Sequence, residues 1–518
     1  MRKRDLLPAD ALAAAIVAAL MATVTPPRPA PSIPPALPAL GRRTLRHRDL
    51  LAGAVTSVAV AVAMFVLYEP SHVNYDAQWA LLWARDAWEG FTPEYRADFA
   101  PTPHPLATLL SSLALPFGAG APIAVIWSSL LAFGAVVYLT YRLGAELFAP
   151  AVGLIAAVVV LTRPAIERDA LIGYQDLPFA ALVASALLLE VRRPRRGAPV
   201  LILLALAGLL RPEAWVLAGL YWVWLWPATD RRARITNGLL VAAAPLIWAA
   251  SDWLVTGDPL HSLHGTAALA EEADRRRDVE DVPYWTVRYF GFVLREPLLV
   301  GVPVGLAFAW TYARKRSLLP LAVVGAMVAV FALGPLFGLP LIRRYLDTPA
   351  VFLSLFYGLA VAGWTLLPRG RQRRAWQVIG ALMLGLSLAF IPWHGAELKL
   401  VDKRVRQDGL MYRDLKRLAH KPRVRAVFER CAPLTTGDHR PIPFLRYWLG
   451  GAPGSVGTVA GGQSEMGRLL LIPRKNWTTR RVYNRKAGTV PFVKPPDGYR
   501  RIFRNRSWRV YAAPGCLA

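Results

Sequence analysis

The chain's fold is set by the stretch Leu51–Trp88, which reads LAGAVTSVAVAVAMFVLYEPSHVNYDAQWALLWARDAW. Its first part, Leu51–Tyr68, is uncharged and approaches the roughly 20 apolar residues that cross a bilayer as an α-helix. Asp76 follows shortly after this run, and apolar residues then recur at helical spacing from Trp79 onward. This order predicts a membrane span, an acidic residue at the membrane surface, and a helix lying in the outer interface.

The rest of the chain repeats this apolar character. Of its 518 residues, 55% are hydrophobic and 18% are charged, whereas soluble proteins carry about 25% charged residues. This composition excludes soluble, disordered, collagenous and disulfide-dense classes, and two cysteines exclude a cysteine metal cluster. We predict an all-α polytopic membrane protein with eleven spans. The spans are Leu51–Tyr68, Ala121–Tyr141, Leu147–Thr162, Leu177–Leu189, Gly197–Leu210, Ala214–Thr229, Ile235–Ser251, Pro297–Ala313, Ser317–Ile342, Thr348–Pro368 and Ala375–Ala396.

Basic residues in the short loops indicate the orientation, because Lys and Arg in such loops stay on the cytoplasmic side. If the residues before Leu51 are cytoplasmic, every dense basic cluster between the spans falls on that side. These clusters are Arg142, Arg192–Arg196, Arg231–Arg234, Arg314–Arg316 and Arg369–Arg374. We therefore predict an integral plasma-membrane protein with a cytoplasmic N-terminus, and we assign the net charge of +27 to topology and lipid rather than to nucleic acid.

The chain divides into three predicted regions: a leader with a Pro-rich linker (residues 1–49), a membrane domain (50–393) and a basic C-terminal domain (394–518). The last region has 26 Lys and Arg against 8 Asp and Glu and no run long enough to span. Loop alternation places it outside the membrane, as a small α/β domain. A disulfide between Cys431 and Cys516 suits that compartment, but their spacing equally allows two free thiols.

Three carboxylates at outer span ends are candidates for chemistry. Asp76 follows the first span, where it either caps the next helix or has a function. Asp176 begins the fourth span, and a carboxylate at that depth is costly unless it is paired or used. Asp169, slightly earlier, either joins this site or pairs with a neighbouring arginine in water.

Three arginines on the same side are candidates for binding a phosphate, because the planar guanidinium offers two donors to an anionic group. Arg211 lies between two apolar runs, where it either binds a substrate or only pairs with Glu213. Arg343 and Arg344 are adjacent on a side that otherwise has few basic residues, which favours an anionic partner.

Other polar residues in the outer loops are candidates for substrate contacts: Tyr75, His104, Glu213, His261 and His264. His104 lies between prolines and is alternatively a turn residue. His261 and His264 are three residues apart and could share a helix face, but no carboxylate stands beside them at ligand spacing. The sequence has no Gly-rich phosphate loop, HExxH or CxxC motif, so no cofactor is assigned and only a divalent cation is left open.

The order of these features resembles the GT-C superfamily, integral-membrane glycosyltransferases that use polyprenyl-phosphate sugars. The strings LLRPEAW (Leu209–Trp215) and RYLDTP (Arg344–Pro349) are similar to pieces of the protein-mannosyltransferase and lipid-A-sugar-transferase branch. The resemblance covers about residues 50–392. One departure is that Asp76 is followed by Ala77, where the protein-mannosyltransferases often have a paired Asp-Glu.

The resemblance implies a reaction in which Asp76 accepts the proton of an acceptor hydroxyl and the three arginines stabilise the leaving polyprenyl phosphate, with inversion at the anomeric carbon. Asp169 or Asp176 would orient the sugar or acceptor, or hold a divalent cation. The acceptor would be an envelope glycan, lipid or protein.

The alternatives to a glycosyltransferase are a transporter or flippase for a lipid-linked or envelope substrate, and an anchored protein whose basic tail binds an anionic envelope polymer. The absence of a sequence repeat between the halves favours the enzyme.

Overall fold

The structure is a computed structural model that describes residues 47–459, 467–474 and 495–517. The predicted leader and linker, residues 1–49, therefore lie outside the described residues except for 47–49. The chain is largely helical, with a small sheet near its C-terminus. In chain order the helices up to residue 389 are α1 (His47–Tyr68), α2 (Tyr75–Trp88), α3 (Pro105–Ala114), α4 (Ala121–Leu147), α5 (Pro150–Leu161), α6 (Pro164–Leu171), α7 (Asp176–Arg192), α8 (Ala198–Gly208), α9 (Glu213–Leu225), α10 (Arg231–Thr256), α11 (His261–Glu272), α12 (Val282–Leu294), α13 (Glu296–Tyr312), α14 (Arg314–Leu333), α15 (Asp347–Ala362) and α16 (Arg371–Ala389).

Each of the eleven predicted spans coincides largely with one of these helices. Among the residues that the structure describes, five helical stretches are long and apolar enough to cross a membrane, or up to eight if each of three bent helix pairs forms one span. The remaining helices, such as α8, fall short of that length, so the count of eleven spans stays a prediction. In the ninth predicted span, α14 contains Pro320 and runs to Leu333, after which a short 3₁₀ turn continues to Phe337.

Close helix packing holds the membrane domain together, and glycine makes two of the closest approaches. A Cβ atom added to Gly134 of α4 would lie 2.6 Å from the Cα of Ser57 in α1. One added to Gly305 of α13 would lie 1.7 Å from the carbonyl oxygen of Phe356 in α15. Small residues let helix backbones approach in this way where lipid leaves no hydrophobic drive between helices.

A buried arginine fixes the short helix α6. Arg163 lies at the 61° break between α5 and α6 and is 6% exposed. It donates hydrogen bonds to the carbonyl oxygen of Val159 (3.1 Å) and to that of Leu294 (2.7 Å), at the C-terminal end of α12. Carbonyl groups at helix ends lack partners within the helix, so the guanidinium gives Leu294 such a partner and ties α6 to α12.

Helix α2 forms as predicted, and most of it is covered by protein. Trp79 is fully buried and Trp83 is 1% exposed, whereas Trp88 is 72% exposed. Helix Ile442–Leu449 of the C-terminal region packs on α2, and the position of α2 in the membrane interface stays a prediction. A contact between segments so far apart leaves no local mark in the sequence of α2.

The C-terminal region forms the small α/β domain that the sequence predicts. Its elements are α17 (Ile391–Ala419), α18 (Pro422–Cys431), β1 (Leu434–Thr436), α19 (Ile442–Leu449), β2 (Val456–Thr458), β3 (Leu469–Pro473), β4 (Arg500–Arg504) and β5 (Trp508–Ala512). The sheet order is β2-β1-β3-β5-β4, with β1 parallel to both neighbours and β5 antiparallel to both of its own. Cys431 and Cys516 form a disulfide, which settles the pairing that their spacing left open. The predicted boundary at residue 394 falls inside α17.

A buried ion cluster attaches this domain to the first outer loop. The guanidinium of Arg446 is fully buried and pairs with Asp86 of α2 and with Glu94, at 2.7 Å. Arg85 donates to the carbonyl oxygens of Tyr447 (2.9 Å) and Gly451 (3.0 Å). Burial raises the pKa of both carboxyls, and Arg446 opposes that rise. Removing one partner of such a pair costs roughly 3–5 kcal/mol, so the domain is held firmly over α2.

The close approach at Gly305 can be tested with a single methyl group. We expect Gly305→Ala to lower the stability of the detergent-solubilised protein by about 1–3 kcal/mol, because the added Cβ forces α13 and α15 apart. Thermal unfolding would show this as a lower midpoint. Gly325→Ala in α14 is the matched control, since nothing lies within 4 Å of its added Cβ. Equal midpoints for both variants would contradict this account of the packing.

Candidate functional site

The predicted carboxylates and arginines meet at one end of the helix bundle, although they come from five separate parts of the chain. Asp76 belongs to α2, Asp169 to α6 and Asp176 to α7, while Arg211 precedes α9. The 3₁₀ turn Arg343–Leu346 before α15 carries the adjacent arginines. Together they form three arginine–carboxylate groups, which we call the arginine layer: Asp76 with Arg344, Asp169 and Asp347 with Arg343, and Asp176 and Glu213 with Arg211.

The pair of Asp76 and Arg344 is the most accessible of the three. Oδ2 of Asp76 lies 2.7 Å from Nη2 of Arg344, and each side chain is 19% exposed. Asp76 does not cap α2, so that alternative is wrong. Asn74 is the cap: its side chain accepts from the backbone N–H of Ala77 (3.0 Å) and donates to the carbonyl of Ile172 (2.9 Å). The carboxylate of Asp76 is thereby left to Arg344.

Arg344 controls the charge of Asp76. Burial raises the pKa of Asp76, but the adjacent guanidinium outweighs burial and leaves that pKa below its usual value. Asp76 is therefore a carboxylate at neutral pH. Arg344 also lies over the ring of Tyr174, with its guanidinium carbon 4.6 Å from the ring centre, as in a cation–π contact.

Arg343 is shared between two carboxylates. It pairs with Asp169 of α6, and its Nη1 lies 2.7 Å from Oδ1 of Asp347. Asp169 also lies 3.3 Å from Nη1 of Arg168, so it pairs with a neighbouring arginine, although its carboxylate is inside the protein rather than in water. Asp169 is fully buried. Arg343 therefore joins α6 to the start of α15.

Arg211 is likewise fully engaged. It pairs with Asp176 and with Glu213, and its Nε lies 3.3 Å from the second oxygen of Glu213. Its guanidinium carbon lies 4.7 Å from the ring centre of Tyr345, and the residue is 4% exposed. Arg211 thus pairs with Glu213, as one of the two predicted alternatives stated. It also neutralises the carboxylate of Asp176 at the start of α7.

Sequence reasoning missed Asp347 of the arginine layer, the tyrosines Tyr174 and Tyr345 that contact its arginines, and the nearby Arg275. The charge of Arg275 acts on Asp76 and on Tyr345. Asp347 and Tyr345 were within the RYLDTP string, so the resemblance itself contained the signal for both. Tyr174, two residues before Asp176, had no such signal, because an isolated tyrosine at a span end is common at membrane surfaces.

Two further predicted residues lie near Asp76. His104 is close enough for the charges of Asp76, Arg344 and Arg211 to act on it, and burial lowers its pKa to about 3, so its imidazole is neutral at neutral pH. Its buried Nδ1 makes no hydrogen bond within the described residues. The hydroxyl of Tyr75 donates to the carbonyl oxygen of Phe99 (2.9 Å), so this side chain already has a partner in the protein.

The two loop histidines lie away from the arginine layer. Nε2 of His261 is 3.2 Å from the carbonyl oxygen of Tyr95, and Nδ1 of the exposed His264 is 2.7 Å from Oδ2 of Asp258. Within residues 47–459, 467–474 and 495–517, no group of three or more His, Cys, Asp or Glu side chains could hold a metal ion. A divalent cation would have to compete with arginines for Asp169 and Asp176.

An apolar cavity of about 260 Å³ adjoins the pair of Asp76 and Arg344. Asp76 and Tyr174 line one part of it. Its other lining residues include Leu113 and Phe117, which are 66% and 67% exposed on the outside of the helix bundle. The cavity therefore connects a charged site with a surface that, in a membrane, faces lipid.

Comparisons with known proteins agree with this architecture. No family model and no curated protein matches the sequence. Among solved structures, ArnT from Cupriavidus metallidurans bound to undecaprenyl phosphate is similar over 88% of this chain and 97% of its own, with a TM-score of 0.52 and 12% identity. The same protein in the apo state has a TM-score of 0.46 at 14% identity, over 90% of this chain and 99% of its own. The Archaeoglobus fulgidus oligosaccharyltransferase has a TM-score of 0.47 at 12% identity, over 81% of this chain and 65% of its own.

The first of these similarities shows the fold. ArnT is a membrane glycosyltransferase of the GT-C superfamily, so the chain has a GT-C fold, as its sequence predicts. Together with five to eight helices that are apolar and long enough to span a bilayer, this fold makes the chain an integral membrane protein.

The balance of charge at Asp76 gives a prediction for pH dependence. Because the folded pKa of Asp76 is lowered, the pair contributes stability above the ordinary pKa, and this stability is lost as the pH falls through the folded value. In Arg344→Gln the strongest charge that opposes burial is removed, so the pKa of Asp76 rises. We expect a lower unfolding midpoint for Arg344→Gln at pH 7, and a smaller deficit near pH 5, where the carboxyl takes up a proton.

The double variant Asp76→Asn/Arg344→Gln is the control, since it has neither charge. Its midpoint relative to wild type should change less between the two pH values than that of Arg344→Gln. A deficit of Arg344→Gln that is the same at both pH values would contradict the coupling.

Proposed function

We propose that this protein is a glycosyltransferase that moves a sugar from a polyprenyl-phosphate donor to an acceptor hydroxyl outside the cell. The main support is one observation: a carboxylate and an arginine form a partly exposed pair beside an apolar cavity that reaches the lipid-facing surface. A donor of this class has an apolar chain, then a phosphate, then a sugar. The apolar cavity suits the chain, the arginine suits the phosphate, and the sugar would then lie beside the carboxylate. The similarity in fold to ArnT bound to undecaprenyl phosphate adds support.

We assign the phosphate to Arg344. Arg211 and Arg343 each bind two carboxylates and already have opposing charges on their guanidinium groups. Within the described part of the chain Arg344 forms an ion pair with Asp76 alone; it is partly exposed and lies over Tyr174, which lines the cavity. In this assignment the prenyl chain enters between Leu113 and Phe117 and its phosphate reaches Arg344. Arg211 and Arg343 hold the surrounding helix ends in place and add positive potential.

Donor binding then prepares the base. A phosphate that takes the guanidinium of Arg344 separates it from Asp76, and the burial of Asp76 raises the pKa of the released carboxylate. A carboxylate with a higher pKa accepts a proton more readily. The same arginine thus keeps Asp76 ionised before the donor arrives and leaves it when the donor is bound.

The reaction itself is a direct displacement. The acceptor oxygen attacks the anomeric carbon and forms a new C–O bond, while Asp76 accepts the hydroxyl proton. The bond between that carbon and the phosphate oxygen breaks, and its electron pair leaves with the polyprenyl phosphate. Arg344 stabilises the charge that develops on this leaving group. Attack opposite to the leaving group inverts the anomeric centre.

The remaining carboxylates have a supporting role in this scheme. Asp169 and Asp176 are each bound to an arginine, so we assign them to holding Arg343 and Arg211 rather than to a divalent cation. Neutral His104, near Asp76, is placed to contact the donor sugar or the acceptor. Residues 50–393 would form the catalytic domain with eleven spans and a cytoplasmic N-terminus, and residues 394–518 would lie outside the membrane.

Removing the base tests the function. We expect Asp76→Asn to slow sugar transfer by about 100-fold or more, the range associated with losing a general base. The purified protein would be incubated with a panel of hexosyl and pentosyl polyprenyl phosphates and an envelope extract, and the release of polyprenyl phosphate would be measured. The panel also identifies the sugar.

Asp278→Asn is the matched control, because Asp278 is an exposed acid of an outer loop and makes no ion pair within the described residues. Wild type and this control should release polyprenyl phosphate at similar rates. Transfer that persists in Asp76→Asn would exclude Asp76 as the base. Movement of an intact donor lipid across proteoliposomes, without any release by wild type, would favour the flippase instead.

A further inference from the structure

A second cavity, of about 200 Å³, lies between the loop of residues 95–103 and helix α11. Its lining differs from that of the apolar cavity. It includes the aromatic side chains of Tyr95 and Phe99, the carboxylates of Asp98 and Glu272, and the hydroxyl of Thr266. None of these residues has a role in the reaction described above.

This cavity is a neighbour of the pair of Asp76 and Arg344. Its loop continues directly into His104, on which the charge of Asp76 acts. On the other wall, α11 ends at Glu272, and the charge of Arg275, three residues later, acts on Asp76. The loop and α11, which form the two walls of the cavity, therefore both continue toward Asp76, the proposed base.

The C-terminal domain covers this part of the molecule. The ring of His439, in the loop after β1, stacks on Phe99 with 4.4 Å between ring centres. The same ring meets the edge of Tyr75, at 5.4 Å. The cavity thus lies on the side of the site that the C-terminal domain occupies, whereas the apolar cavity opens between α3 and α4 toward lipid.

The chemistry of the lining suits a sugar ring. Carboxylates accept hydrogen bonds from hydroxyl groups, while aromatic faces pack on apolar C–H surfaces, and a sugar ring offers both. Burial and the charge of Asp98 both raise the pKa of Glu272. A lipid chain would suit this lining poorly, because an apolar chain offers a carboxylate no hydrogen-bond donor.

We propose that this cavity binds a sugar unit of the acceptor, so that the acceptor is a glycan whose hydroxyl is presented to Asp76. This inference rests on the proposed function, because an acceptor site has meaning only for a transferase. The donor then approaches from the lipid side and the acceptor from the side of the C-terminal domain. Asp98 and Glu272 orient the acceptor ring, and Phe99 supports one face of it.

The test uses the full chain in lipid nanodiscs, free of glycoside detergents, with three probes: methyl α-mannopyranoside, methyl β-galactopyranoside and methyl β-N-acetylglucosaminide. Saturation-transfer difference NMR reports which of them contacts the protein. We expect a signal from at least one probe, and a weakening of its affinity by about tenfold in Asp98→Asn/Glu272→Gln, because hydrogen bonds to charged groups are lost. Glu271→Gln is the matched control: Glu271 pairs with Arg277 (3.1 Å) and does not line the cavity.

Each outcome has a defined meaning. No signal from any probe with wild type, or equal affinity in the double variant and wild type, overturns the proposal. An equal loss in Glu271→Gln also overturns it, since that would be a general effect of charge. Undecaprenyl phosphate binding, measured on the same samples, should be unchanged in the double variant. If the probes bind as expected but wild type releases no polyprenyl phosphate from any donor, the proposed function fails and the cavity remains a carbohydrate site.

Discussion

The structure depends on neutralising carboxylates that lie at the ends of membrane helices. An unpaired charge at that depth is costly, and removing one partner of a buried pair typically costs about 3–5 kcal/mol. Arg211, Arg343 and Arg344 supply the partners, and two of them are consecutive in the chain. Because consecutive arginines bind Asp76 of α2 and Asp169 of α6, the turn before α15 joins these two helices. Asp76 reaches the apolar cavity only through this arrangement.

The same constraint explains why only one of the three groups is suited to chemistry. Arg211 and Arg343 each hold two carboxylates, so a ligand would have to displace an acid from a nearly closed group. Arg344 holds a single acid in a partly exposed position. We therefore assign structural roles to two groups and an exchangeable role to the third, between a cavity suited to lipid and a cavity suited to a sugar.

Much of this could be predicted from the sequence, because apolar runs and the distribution of charge are local properties. The helical segments followed from such patterns, and the GT-C fold followed from the resemblance that their order and two short strings gave. Pairings between distant residues did not. Asn74 and Asp76 are both plausible helix caps, and only the carbonyl of Ile172, almost a hundred residues later, favours Asn74. Helix α2 packs against a helix more than 350 residues away, a contact that the sequence of α2 does not indicate.

The central claim is that Asp76 and the donor phosphate compete for Arg344, and the binding of undecaprenyl phosphate to the purified protein measures this most directly. Removing the competing negative charge frees the guanidinium, so Asp76→Asn should bind undecaprenyl phosphate more tightly than wild type, while Arg344→Gln should bind it more weakly. Opposite changes in binding for two residues in contact are expected only if the phosphate replaces Asp76 as the partner of Arg344. Weaker binding in both variants, or no change in either, would contradict the account.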